Sequence, residues 1–209
     1  MKKFDLYLFD FDGTLVDTYE SLTHVFEGAY QAVGVSIKKE DVPKLMRSSL
    51  EAGYEYCGGP RDRKSVKTYV KMIVKLLDDE TTLKLSKTYP EVKEVLTKLS
   101  SSGARLGIVT SNSRHHVIDV LHHIGLDEKM FDVIIGNGET RKRKPNPDPV
   151  LKALKVLKYS KAQTCYVGDA LDDMRCGISA GVETILVDRY NEYQNEECIK
   201  IKTLDELVK

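Results

Sequence analysis

The chain has 209 residues, and its 32 Lys and Arg balance 32 Asp and Glu, giving a formal net charge of zero. This argues against general electrostatic binding of nucleic acid or an anionic membrane. With 41% apolar and 31% charged residues, the composition suits a globular protein with one core, or one core carrying a smaller inserted unit. No apolar run approaches the ~20 residues needed to span a bilayer. Two aspartates interrupt the opening MKKFDLYLFDFDG, so it does not read as a signal peptide. Cys57, Cys165, Cys176 and Cys198 form no CxxC pair, which predicts reduced thiols in a cytoplasmic protein and argues against zinc.

In chain order, Phe4 to Phe9 is the first predicted strand. From about Asp17 to Lys87 no strand is convincing, and the pattern is helical throughout. Thr18 can cap a helix carrying Leu22, Val25, Phe26, Ala29, Tyr30 and Val33 and ending at Gly34. Further helical pieces are expected at Val42 to Arg47, Ser49 to Tyr56 and Ser65 to Leu77, with the loop Cys57-Gly58-Gly59-Pro60 between the last two. Tyr54, Tyr56 and Tyr69 read as packing residues of this insert. After it, Pro90 opens a helix with periodic Val92, Val95, Leu96 and Leu99, closed by Gly103. Then strands (Arg105 to Thr110, Val133 to Gly136, Thr164 to Gly168, Thr184 to Val187) alternate with helices (His115 to Ile124, Pro149 to Leu157, Leu171 to Ala180). Runs of Ile, Val and Leu suit strands buried on both faces. The alternation predicts an α/β, Rossmann-like doubly wound parallel sheet of residues 1–16 and 88–209, interrupted by an all-helical unit of residues 17–87.

Four strand ends carry residues capable of chemistry. Ligands of open α/β sheets bind beyond the carboxyl ends of strands, where Asp10-Phe11-Asp12-Gly13-Thr14 falls. Two carboxylates at i and i+2 can divide nucleophilic and proton-transfer work if their environments hold different protonation states. An Asp-rich turn capping a helix through Asp17 or Thr18 is the alternative. Thr110-Ser111-Asn112-Ser113 offers hydroxyls and free N–H groups to a phosphate oxygen, or simply a helix cap. Within Arg141-Lys142-Arg143-Lys144-Pro145, otherwise a solvated loop, Lys144 could aim an ammonium at a phosphate. Gly168-Asp169-Ala170-Leu171-Asp172-Asp173 clusters carboxylates in a way that suits a hard cation, Mg²⁺, or else only the positive end of a helix.

This set, in this order, resembles the haloacid dehalogenase-like (HAD) hydrolase superfamily, and the helical insert resembles its helical-cap, phosphoglycolate phosphatase-like group. The resemblance spans essentially the whole chain and implies a mobile cap that sets substrate choice. It implies Asp10 as the nucleophile forming an aspartyl-phosphate. Asp12 would be the acid that protonates the leaving oxygen and then the base that activates water. Ser111 and the backbone at Asn112 would bind phosphoryl oxygens, with Thr110 the alternative hydroxyl, and Lys144 would neutralise their charge. Mg²⁺ would be held by the Asp10 carboxylate, the Asp12 carbonyl and Asp169, with Asp173 (or Asp172) a ligand or an orienting group. Implied substrates are a small phosphorylated metabolite or pyrophosphate. A phosphomutase of the β-phosphoglucomutase type and an idle binding protein are the competing readings, and neither monomer nor homodimer is indicated.

The chain departs from the family pattern at Tyr89-Pro90-Glu91-Val92, where many relatives have Pro-Gly-Val, so Glu91 puts the local turn in question. Met46-Arg47-Ser48-Ser49-Leu50 matches no substrate-loop motif. Arg47 is a candidate for the leaving group of an acidic substrate, or a surface residue. His115, His116, His122 and His123, on one helix without carboxylate partners at metal spacing, read as exposed polar residues.

Overall fold

Leu6–Phe9 form β1, and all four of its residues are buried, as expected for a strand covered on both faces. The computed structural model describes residues 2–193 and 198–209. After β1 the chain turns tightly, Gly13 N–H donating to the Val16 carbonyl at 2.8 Å, and enters the two-residue strand β2 (Val16–Asp17). There it passes from one compact unit, Met1–Val16 with Thr88–Lys209, into another, Asp17–Lys87.

The second unit is helical: α1 (Tyr19–Gln31), α2 (Val42–Met46), α3 (Leu50–Tyr56), α4 (Arg63–Leu77) and α5 (Glu80–Leu85). Its core gathers Val25, Phe26, Ala29, Tyr30, Val42, Leu45, Tyr54, Tyr69 and Ile73. Burying a side chain such as Phe26 or Ile73 is worth about 1.5–3 kcal/mol. Rings of Tyr54 and Tyr69 pack at 4.6 Å between centroids, and Tyr30 lies 4.9 Å from Tyr69. Tyr56 corrects the expectation for the third tyrosine. It is half exposed, with Lys44 Nζ 3.5 Å over its ring and its hydroxyl on Asp41. Helix starts are set by acidic and hydroxyl caps: Ser49 accepts from Ala52 N–H, and Asp62 from Ser65 N–H. Thr18 does not cap α1. Its hydroxyl is buried without a hydrogen-bond partner, and Asp17 accepts from Tyr19 N–H instead.

The chain returns through β3 (Lys87–Thr88), paired with β2. There follow α6 (Val92–Ser101), β4 (Arg105–Val109), α7 (Arg114–His123), β5 (Val133–Ile135), α8 (Asp148–Leu157), β6 (Thr164–Gly168), α9 (Leu171–Ala180), β7 (Glu183–Val187) and β8 (Ile199–Ile201). The six-stranded sheet runs β5-β4-β1-β6-β7-β8, every pairing parallel. β1 sits between β4 and β6, Phe9 pairing with Ile108 on one side and Val167 on the other. One core cluster joins Leu6, Leu8, Val109 and Ile135 of the strands to Val150 and Leu154 of α8 and Cys176 and Ala180 of α9. No helix among the described residues is long and apolar enough to cross a membrane.

Candidate active site

Because β4 and β6 flank β1 on opposite sides, the loops leaving these strands diverge and open a crevice at their carboxyl ends. Asp10 enters it directly: its N–H still donates to the Val167 carbonyl at 2.8 Å, so the strand fixes the backbone while the side chain points beyond it. Carboxylate oxygens of Asp10, Asp169 and Asp173 lie within 4.8 Å of one another. Lys144 joins them, its Nζ donating to Asp10 Oδ1 at 2.5 Å and Asp173 Oδ1 at 2.6 Å, with all three side chains buried.

Two glycines make this crowding possible. Gly13 has φ +73°, and a Cβ there would sit 2.3 Å from Asp169 Oδ2. A Cβ on Gly168 would lie 2.5 Å from that of Asp173. Thr14 Oγ1 donates to Asp169 Oδ1 at 3.4 Å, and Ala170 N–H to Asp173 Oδ2 at 3.1 Å. Tyr166, a buried residue of β6 that no motif signals, brings its hydroxyl to 2.9 Å from Asp173 Oδ1.

Burial, then the Asp173 charge, holds the Asp10 carboxyl well above the usual carboxylate range, and Lys144 only partly offsets this. Burial alone would push the Lys144 ammonium down, but Asp10 and Asp173 outweigh it and the net shift is upward. The Lys144 ammonium thus answers two of the three clustered carboxylates, Asp10 and Asp173, and a further cation would relieve the repulsion that raises Asp10. The donor set is all oxygen, the chemistry that fits a hard divalent ion.

Asp12 stands apart from this cluster. Its Oδ2 accepts from Asn112 Nδ2 at 2.6 Å, so it is the side chain of Asn112 that meets Asp12. Of the two candidate hydroxyls, Ser111 is exposed. Thr110 is buried and lines a cavity of about 210 Å³ with Gly136, Arg141, Arg143 and Lys144. The two alternatives are thus placed differently: Thr110 continues β4 with its hydroxyl accepting from Asn112 N–H at 3.1 Å, and Ser111 faces solvent. Similarly, Asp173 is buried in the cluster, whereas Asp172 pairs at the surface with Arg175 at 3.3 Å. Within its own helical unit, Arg47 donates to the Pro43 carbonyl at 3.2 Å.

The histidines of α7 differ in part from expectation. His116 is buried, and His115 and His122 do meet carboxylates, Asp119 at 3.1 Å and Glu128 at 2.5 Å. All four cysteines are free. Burial pushes the Cys176 thiol up to about 12 and raises that of Cys165 as well, so neither supplies a thiolate nucleophile.

A family model described as haloacid dehalogenase-like hydrolase matches residues 7–187. The chain belongs to this family. Similar HAD proteins include a pyrophosphatase PpaX of Halalkalibacterium halodurans, 34% identical over 184 residues, covering 86% of this chain and 81% of the relative. A phosphoglycolate phosphatase of Aquifex aeolicus is 30% identical over 183 residues, covering 86% and 82%. Among solved structures, a HAD-like family hydrolase of Streptococcus pneumoniae superposes with a TM-score of 0.84 at 21% identity, covering 100% of this chain and 99% of that one; at that identity it speaks for the fold alone. The HAD chain described here is thus an enzyme, a hydrolase of the phosphatase kind.

Proposed function

We propose that this HAD protein is a Mg²⁺-dependent phosphatase of the cytoplasm that hydrolyses a small phosphorylated metabolite, phosphoglycolate-like, or pyrophosphate, through an aspartyl-phosphate on Asp10. The observation that carries the reading is the division of labour among the acids. Asp10, Asp169 and Asp173 bring their carboxylates together, while the Asp12 carboxylate accepts from Asn112 Nδ2. The names of the relatives support the substrate class, and the free cysteines accord with a reducing compartment.

Mg²⁺ at Asp10, Asp169, Asp173 and the Asp12 carbonyl would supply charge neutralisation, without which carboxylate and phosphate repel each other. A carboxylate oxygen of Asp10 attacks phosphorus as the bond to the leaving oxygen breaks, and the protonated Asp12 donates its proton to that oxygen. The resulting carboxylate of Asp12 then takes a proton from water, which attacks the same phosphorus. The phosphorus–Asp10 bond breaks, releasing inorganic phosphate and regenerating both acids. Splitting one displacement into two lowers each barrier, and most of the remaining reduction is electrostatic. Lys144 and Thr110 would hold the phosphoryl oxygens, and the unit of residues 17–87 would act as the cap that selects the leaving group, with Arg47 the candidate contact for an acidic one.

A panel of phosphorylated metabolites and pyrophosphate, assayed for phosphate release with Mg²⁺ or chelator on wild type and Asp10→Asn, tests this. Mg²⁺-dependent release confined to wild type is expected. Release from folded Asp10→Asn at the wild-type rate would overturn the reading.

A further inference from the structure

Glu91, the residue at odds with the family pattern, has its partner in Arg189, just past β7. Arg189 Nη1 lies 2.6 Å from Glu91 Oε1, with side chains only 9% and 11% exposed. Leu204 N–H also donates to Glu91 Oε1, at 3.4 Å. The rest of the guanidinium is engaged by one turn: Nη2 donates to the Thr14 carbonyl at 2.9 Å and Nε to the Gly13 carbonyl at 3.4 Å. Its flat face rests on Tyr89, 3.5 Å from the ring centroid. Arg189 touches none of the clustered acids, but the two residues it grips do. Thr14 Oγ1 donates to Asp169, and the bare Cα of Gly13 makes room for the Asp169 carboxylate.

A buried ion pair is a weak device for stability alone, since desolvation offsets most of the attraction. This one is specific in another way. The planar guanidinium spreads its donors in a fixed fork that reaches two consecutive carbonyls and a carboxylate while its face lies on Tyr89. An ammonium has three donors but only one nitrogen, with neither that spread nor a flat face. Burial pushes the Glu91 carboxyl up, yet its hydrogen bond from Arg189 and further bonds bring the net shift below the usual range, so the pair stays ionised.

We propose that Arg189, braced by Glu91, is a positioning residue that fixes the Gly13–Thr14 turn and thereby the orientation of the Asp169 carboxylate. The part concerning Asp169 rests on the proposed cation site.

The test is titration calorimetry of Mg²⁺ into wild type, Arg189→Ala, Arg189→Lys and Glu91→Gln, with amide hydrogen exchange of the segment 11–16 in metal-free protein. Arg189→Ala should weaken Mg²⁺ binding roughly tenfold, the lower end of the effect of groups supporting metal ligands, and speed exchange at Gly13, Leu15 and Val16. Arg189→Lys should fall between, and excess Mg²⁺ should restore its activity. Mg²⁺ affinity within about twofold of wild type, together with unchanged exchange, would overturn the proposal. Should Arg189→Ala fail to fold, Arg189→Lys and Glu91→Gln decide by the same criteria. If wild type itself binds no Mg²⁺ while exchange still responds, the cation site is wrong and the brace on the turn stands.

Discussion

Buried tyrosines serve the two units differently. In the helical unit, Tyr30, Tyr54 and Tyr69 pack ring against ring, and their surroundings are Val, Ile, Phe and Leu. In the sheet unit, Tyr166 is equally buried but turns its hydroxyl to Asp173, one member of a group of ionisable side chains held under strand ends. One interior is built for packing, whereas the other maintains a costly concentration of charge. A charge cluster of this kind has to be justified by chemistry, so substitutions in the two interiors should fail in different ways.

The largest contrast is expected at Asp10. Asp10→Asn should lower phosphate release by as much as about 10⁶-fold, the scale seen when a covalent nucleophile is removed, with the protein still folded by circular dichroism. Asp12→Asn should cost ~10²–10⁴-fold in kcat, the usual share of general acid–base catalysis, while calorimetry shows Mg²⁺ still bound. Thr110→Ala should lower kcat by roughly 10²-fold if its hydroxyl steadies a phosphoryl oxygen, against less than about twofold for Ser111→Ala; the reverse order would return the role to Ser111. In the helical unit, Ile73→Ala should cost about 2–5 kcal/mol in denaturant unfolding and leave the chemical step intact.

The smallest effect concerns pH. Asp10 is raised in the folded state, so metal-free native protein holds its proton to higher pH than the unfolded chain does. The stability this gives is present at low pH and is lost as pH rises from the unfolded carboxylate range through the raised value. Asp10→Asn should therefore raise the neutral-pH melting temperature of metal-free protein, by about 2–4 °C per kcal/mol of repulsion relieved. Protons should also compete with Mg²⁺, so half-saturation by the ion should need more of it as pH falls.

The sheet was largely legible because buried parallel strands are continuous apolar runs: Thr164–Gly168 and Leu171–Ala180 have the limits that their patterns predict. β8 escaped notice since only Ile201 of its three residues is buried, and α5 since six residues after Asp79 carry too little periodicity. The candidate site was legible as motifs but not in register. Whether Thr110 or Ser111 faces inward depends on where β4 stops, and one residue reverses the face. Glu91 could be seen as unusual, yet its partner lies 98 residues away, beyond any local pattern. In the insert, helical spacing reports burial and carries no record of substrate.

The central claim, that the phosphoryl group passes through Asp10, is tested most directly by peptide mass spectrometry of Asp12→Asn. The protein is quenched in acid during reaction with p-nitrophenyl phosphate and Mg²⁺, a substrate whose leaving group needs little protonation. A phosphoryl group on the peptide at Asp10 is the predicted result. Phosphorylation at another residue, or none in protein that releases p-nitrophenol, would contradict it.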